Sequence, residues 1–160
     1  MKILTLTSLL LFPFAVQAQK VMELQPAEAP QSFVEQMQQN FDPAVADLVL
    51  ESYLNSLLKA NAIKDGARKS SIKYSVKANR EGELVVTRYQ QLEQGLVRNN
   101  NTLVVYGVGH TLESDCSSIE QRCWILYPDK DERWVEIEYA PKAIRELAKG
   151  MGLLIKELQR

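Results

Sequence analysis

His110 is the single histidine of the chain, and it stands between Gly107-Val108-Gly109 and the carboxylates Glu113 and Asp115. An imidazole beside carboxylates can act as a general base or join them in holding a metal. The neighbouring residues complete neither chemistry: no nucleophile-and-base pattern accompanies His110, and no second histidine supplies a zinc site. His110, Glu113 and Asp115 are therefore weak candidates, and the simpler reading is a strand end followed by a polar loop. The glycines before His110 are no phosphate cradle, because no third glycine and no helix start follow them. Glu136 and Glu138 share one strand face and could form an acid–base pair. Alternation explains them more simply, as the solvated partners of Val135, Ile137 and Tyr139. The expectation is a protein that is not an enzyme and carries no cofactor.

Cys116 and Cys123 enclose Ser117-Ser118-Ile119-Glu120-Gln121-Arg122. Redox-active pairs usually use two intervening residues at a helix start, which lowers one thiol pKa, so six fit that chemistry poorly. An even cysteine count and an oxidising compartment instead predict a structural disulfide. Its short loop limits the expected stabilisation to about 2–3 kcal/mol.

The compartment is inferred from the first residues. Lys2 gives a positive start, Ile3 to Val16 are mostly apolar, and Val16-Gln17-Ala18 offers a small-residue cleavage pattern, so residues 1–18 read as a removed export signal. The apolar run contains Thr5, Thr7, Ser8 and Pro13 and falls short of the ~20 apolar residues that a bilayer-spanning helix needs. Residues 19–31 read as a flexible leader around Pro26 and Pro30, and residues 32–160 as a single α+β domain. With 19 basic and 20 acidic side chains, and Lys2 removed with the signal, the mature chain lacks the basic excess of a nucleic-acid binder. The expected product is exported, periplasmic or extracellular, with no transmembrane span.

The elements that must position these residues follow from periodicity. Ser32 stands three residues before Glu35, the capping-box spacing, with Phe33, Val34, Met37 and Phe41 to bury. Asp42-Pro43 starts a longer helix to about Ala62. From Ser70 the pattern alternates: Ile72, Tyr74 and Val76 face one way, Lys73, Ser75 and Lys77 the other. Asn79 to Gly82 turns the chain into a strand over Glu83 to Gln90. Gln91 to Val97 is ambiguous around Gly95. Asn99-Asn100-Asn101 reads as a turn, and Thr102 to Val108 as a central strand apolar on both faces. Trp124 to Tyr127 and Arg133 to Tyr139 form a last hairpin. From Pro141 an amphipathic helix places Ile144, Leu147, Ala148, Met151, Leu154, Ile155 and Leu158 on one stripe, with Gly150 and Gly152 marking a kink or close helix contact. The fold expected is α+β: an antiparallel meander of four to five strands, an N-terminal helical segment and a C-terminal amphipathic helix packed on the sheet.

Strand parity adds one positive signal. With Ile125, Val135, Ile137 and Tyr139 facing the core, Trp124, Leu126 and Trp134 fall on the opposite face, where they are either covered by a helix or form a patch for a protein or glycan. The function expected is an exported, non-catalytic envelope protein that binds another protein, as an inhibitor or immunity factor or as an accessory of assembly or secretion. The alternatives are a small hydrolase or metal-dependent enzyme centred on His110, and a carrier of small apolar ligands.

Overall fold

The computed structural model describes residues 32–40, 43–65, 70–79 and 81–160, so the export signal and leader expected over residues 1–31 lie outside the described residues. The capping box forms as spaced. Ser32 N–H donates to Glu35 Oε2 at 3.0 Å, and Glu35 N–H to Ser32 Oγ at 3.2 Å, opening α1 (Phe33–Asn40). Helix α1 buries Val34 and Met37, and Glu35 also receives Lys149 Nζ at 3.0 Å from the last helix. Helix α2 (Pro43–Ala60) follows and buries Leu50, Leu54 and Leu58.

The strands form two antiparallel sheets rather than one. The first is a meander in the order β1 (Ile63–Asp65), β2 (Ser70–Ala78), β3 (Glu83–Leu92), β4 (Gly95–Val104). The second is β5 (Ser114–Ser117), β6 (Arg122–Leu126), β7 (Arg133–Glu138). Parity in β2 is as the alternation predicts, with Tyr74 and Val76 buried and Lys73 and Lys77 exposed. At the β2–β3 turn, Asn79 Oδ1 accepts the N–H groups of Glu81 and Glu83, both at 3.0 Å, and Gly82 has φ 74°.

The sequence reading fails most clearly around the asparagines. The chain reverses at Glu93-Gln94, between the paired residues Leu92 and Gly95, and Gly95 has φ 147°. Asn99-Asn100-Asn101 is therefore mid-strand, opposite Arg88, Thr87 and Val86. Pairing to β3, which carries Val85, Val86, Thr87 and Tyr89, outweighs the poor intrinsic strand preference of asparagine. The strand expected over Thr102 to Val108 is the end of this element, and β4 is an edge strand instead of a central one.

Helix α3 (Pro141–Leu158) buries Ile144, Leu147, Ala148, Met151, Leu154 and Ile155, as its stripe predicts. They meet Cys123, Ile125, Val135 and Ile137 of the second sheet and Leu50, Leu54, Val76 and Leu84 in one buried cluster. Its two glycines are contact points. A Cβ on Gly150 would lie 2.8 Å from Leu54 Cδ2, and one on Gly152 would collide with the carbonyl oxygen of His110. Cys116 and Cys123 are bonded across the β5–β6 pair, where they are registered partners. Among the described residues no helix is long and apolar enough to cross a membrane.

Candidate functional site

The residues singled out for acid–base or metal chemistry are not gathered. His110 is exposed in a depression beside Arg145, Lys149 and Lys156, whereas Glu113 lines another with Asp129 and Asp131. Asp115 Oδ1 accepts the N–H of Cys116 at 2.7 Å. Among the described residues no group of three histidine, cysteine or carboxylate side chains is placed to hold a metal ion. Glu136 and Glu138 are engaged separately: Glu136 Oε1 lies 3.2 Å from Arg133 Nη1, and Glu138 Oε1 accepts the Lys64 N–H at 3.0 Å.

Trp124, Leu126 and Trp134 do not form one patch. A register shift between Ile125 and Leu126 pairs Ile125 with Val135 but Leu126 with Arg133, so Trp134 is the extra residue of a bulge. The bulge turns Trp134 inward beside Val135, leaving it 6% exposed. There it meets Tyr127 edge-on, ring centroids 5.3 Å apart, and lines a cleft with Tyr74, Val86 and Arg88. Burial, and secondarily the charge of Glu136, raises the pKa of Tyr74 in that cleft. Trp124 stays on the outer face, half-buried under the Arg133 guanidinium, which sits 3.7 Å from the ring centroid. Arg133 is itself held by Glu120 at 2.8 and 3.0 Å, and this contact also lowers the Glu120 pKa. Tyr139, expected in the core, is exposed.

Exposed apolar side chains also occur on α2, at Val45 and Leu48, and in the β5–β6 turn, at Ile119, but more of them gather along β4. Leu96 is 61% exposed, Val97 42% and Val104 55%, with Leu92 and Tyr106 exposed at its two ends. The strand is also the open edge of the first sheet. An edge strand presents a row of backbone N–H and C=O groups that proteins normally cover or blunt, and other edges of this fold are covered in part. Beyond the reach of β1, the edge of β2 is closed by α2, whose Asn55 bonds both the N–H and the C=O of Val76 at 2.8 Å. Glu51 accepts the Ala78 N–H at 3.0 Å. β1 meets β7 through Glu138, whose Oε1 accepts the Lys64 N–H and whose own N–H bonds the carbonyl of Asn61, just before β1, each at 3.0 Å, and β5 lies against α3. Among the described residues, the backbone of residues 96–104 bonds only to β3.

Nothing blunts β4 in sequence either. It contains no proline and a single charge, Arg98, which stacks over Tyr89 of β3 at 5.8 Å and donates to Asn100 Oδ1 at 3.3 Å. An open strand of this length can accept a strand from another chain, with main-chain hydrogen bonds giving affinity and alternate side chains giving selectivity. The sequence reading missed it because the asparagine run looks like a turn. The available signal was the two-sided pattern Leu96-Val97 and Leu103-Val104 enclosing that run. No known family model matches the chain, and no curated protein or solved structure is similar to it.

Proposed function

We propose that this is an exported, non-catalytic protein that acts by binding another protein, and that it does so by strand addition at β4. The observation carrying this reading is the long edge strand with Leu96, Val97 and Val104 exposed along it, whose outward backbone groups bond to no other described element. A disulfide between registered strand partners agrees with an oxidising, exported location. The role of inhibitor, immunity factor or assembly accessory requires the same property, a surface that captures a polypeptide.

The experiment is affinity capture from envelope extract with the mature protein, its Leu96→Glu variant and its Trp124→Ala variant. A charge at Leu96 falls inside the proposed contact and Trp124 lies outside it. The reading expects a protein that wild type and Trp124→Ala retain and Leu96→Glu loses. Capture that Leu96→Glu leaves unchanged and Trp124→Ala abolishes would move the binding surface to the second sheet.

A further inference from the structure

β4 matches itself when reversed. Residues 96–104 read Leu-Val-Arg-Asn-Asn-Asn-Thr-Leu-Val, and about Asn100 this segment is nearly palindromic in chemical type. Laid antiparallel on a second copy with Asn100 on the two-fold axis, Leu96 falls opposite Val104, Val97 opposite Leu103, Arg98 opposite Thr102, and Asn99 opposite Asn101. Symmetry repeats each pair on the other side of the axis.

Neighbouring registers lose this match. Centred on Asn99, Leu96 faces Thr102 and Val97 faces Asn101. Centred on Asn101, Asn99 faces Leu103 and Arg98 faces Val104. Centred on Arg98, the strand's one charge meets its own copy, a like-charge pair that destabilises a sheet. The Asn100 register also preserves parity. Leu103, buried at the core side, shares that side with Val97, while Leu96 and Val104 share the outer side, so both cores lie on the same side of the joined sheet.

Resting on the reading of β4 as a strand-accepting edge, we propose that its occupant is a second copy of this chain, giving a symmetric dimer in which two four-stranded sheets join through paired β4 strands. The pairing satisfies the outward backbone groups of both strands and covers Leu96 and Val104 against each other. A different partner strand then competes with the second copy for the same edge.

Sedimentation equilibrium of the mature protein tests this. Wild type is expected to show twice the chain mass. Leu96→Glu should weaken self-association by at least about tenfold, because the altered cross-strand pair occurs on both sides of the axis. Adding Val104→Lys to Leu96→Glu should restore it, since each new carboxylate then faces a new ammonium. Thr102→Arg, on the exposed outer side, sets like charges opposite each other at Arg98 and should also give single chains with circular dichroism unchanged.

Wild type at the mass of one chain, or a dimer insensitive to both Leu96→Glu and Thr102→Arg, would overturn the proposal. The two readings separate. Monomeric wild type whose capture of a foreign protein still depends on Leu96 keeps strand addition and rejects self-pairing. A β4-dependent dimer that captures nothing else keeps self-pairing and rejects the foreign partner.

Discussion

Trp134 shows at residue scale how one insertion reverses a sequence argument. Parity assigned it to the face of Trp124, but the bulge between Ile125 and Leu126 gives it to the interior beside Val135. Alternation cannot reveal a bulge, because both registers leave the same apolar residues in the same order. Trp134→Ala should therefore cost about 3–5 kcal/mol of stability, as truncating a buried tryptophan does. Trp124→Ala, losing a half-buried stack under Arg133, should cost only about 1 kcal/mol. Urea unfolding of the two variants checks the difference. His110→Ala should leave partner binding within about threefold of wild type, since it is exposed and lies outside β4; a calorimetric titration with the captured partner measures this. Glu35 adds a pH dependence. Lys149, the Ser32 backbone and the lysine's charge, in that order of hydrogen bond, hydrogen bond and Coulomb attraction, hold its carboxyl below the usual glutamate range. A carboxyl with a depressed folded pKa contributes stability that is full above its unfolded pKa and is lost as pH falls through the folded one. Protection of the α1 amides, taken against the intrinsic exchange rate at each pH, should fall relative to that of the α3 amides as pH drops below the usual glutamate range.

At the scale of elements, legibility follows whether an element carries its own pattern or borrows it. Helix α3 was legible because seven apolar residues repeat on a helical stripe and Pro141 opens it. The short α1 was legible through Ser32 and Glu35, whose side chains cap it locally. β1 and β5 were not, since Ile63-Lys64-Asp65 and Ser114-Asp115-Cys116-Ser117 hold no pattern of their own and are strands only because β2 and β6 pair with them. The glycines of α3 were legible as anomalies, and their positions give a direct test. Alanine normally favours a helix over glycine by about 1 kcal/mol, so Gly152→Ala should stabilise if propensity governed. Here a methyl group would collide with the backbone carbonyl of His110, which has no side-chain rotamer to yield. Gly152→Ala should instead destabilise by about 1–3 kcal/mol, the usual range for overpacking. Gly150→Ala should cost less, because the Leu54 methyl it meets can turn aside. Chemical denaturation ranks the two.

For the whole molecule, the disulfide raises the question of which part of the fold it supports. It links β5 to β6 across a short loop, within a three-stranded sheet, while the larger sheet and α1, α2 and α3 lie outside that loop. A hairpin of this size is marginal alone; here Cys123, Ile125, Val135 and Ile137 bury one face of the sheet against the common cluster. The sequence indicated the bond through cysteine count and spacing, but not its position, because β5 itself was invisible. Reduction should therefore remove about 2–3 kcal/mol by the chain-entropy argument, out of the roughly 5–15 kcal/mol usual for a native domain. The chain should stay folded at room temperature with a lower urea midpoint. The loss should also be local: amides of β5 and the Ser117–Arg122 connection should exchange faster after reduction, while those of the β2–β3 pair keep their protection. Equal loss of protection in both sheets would mean that the bond supports the common core, not only the hairpin it closes.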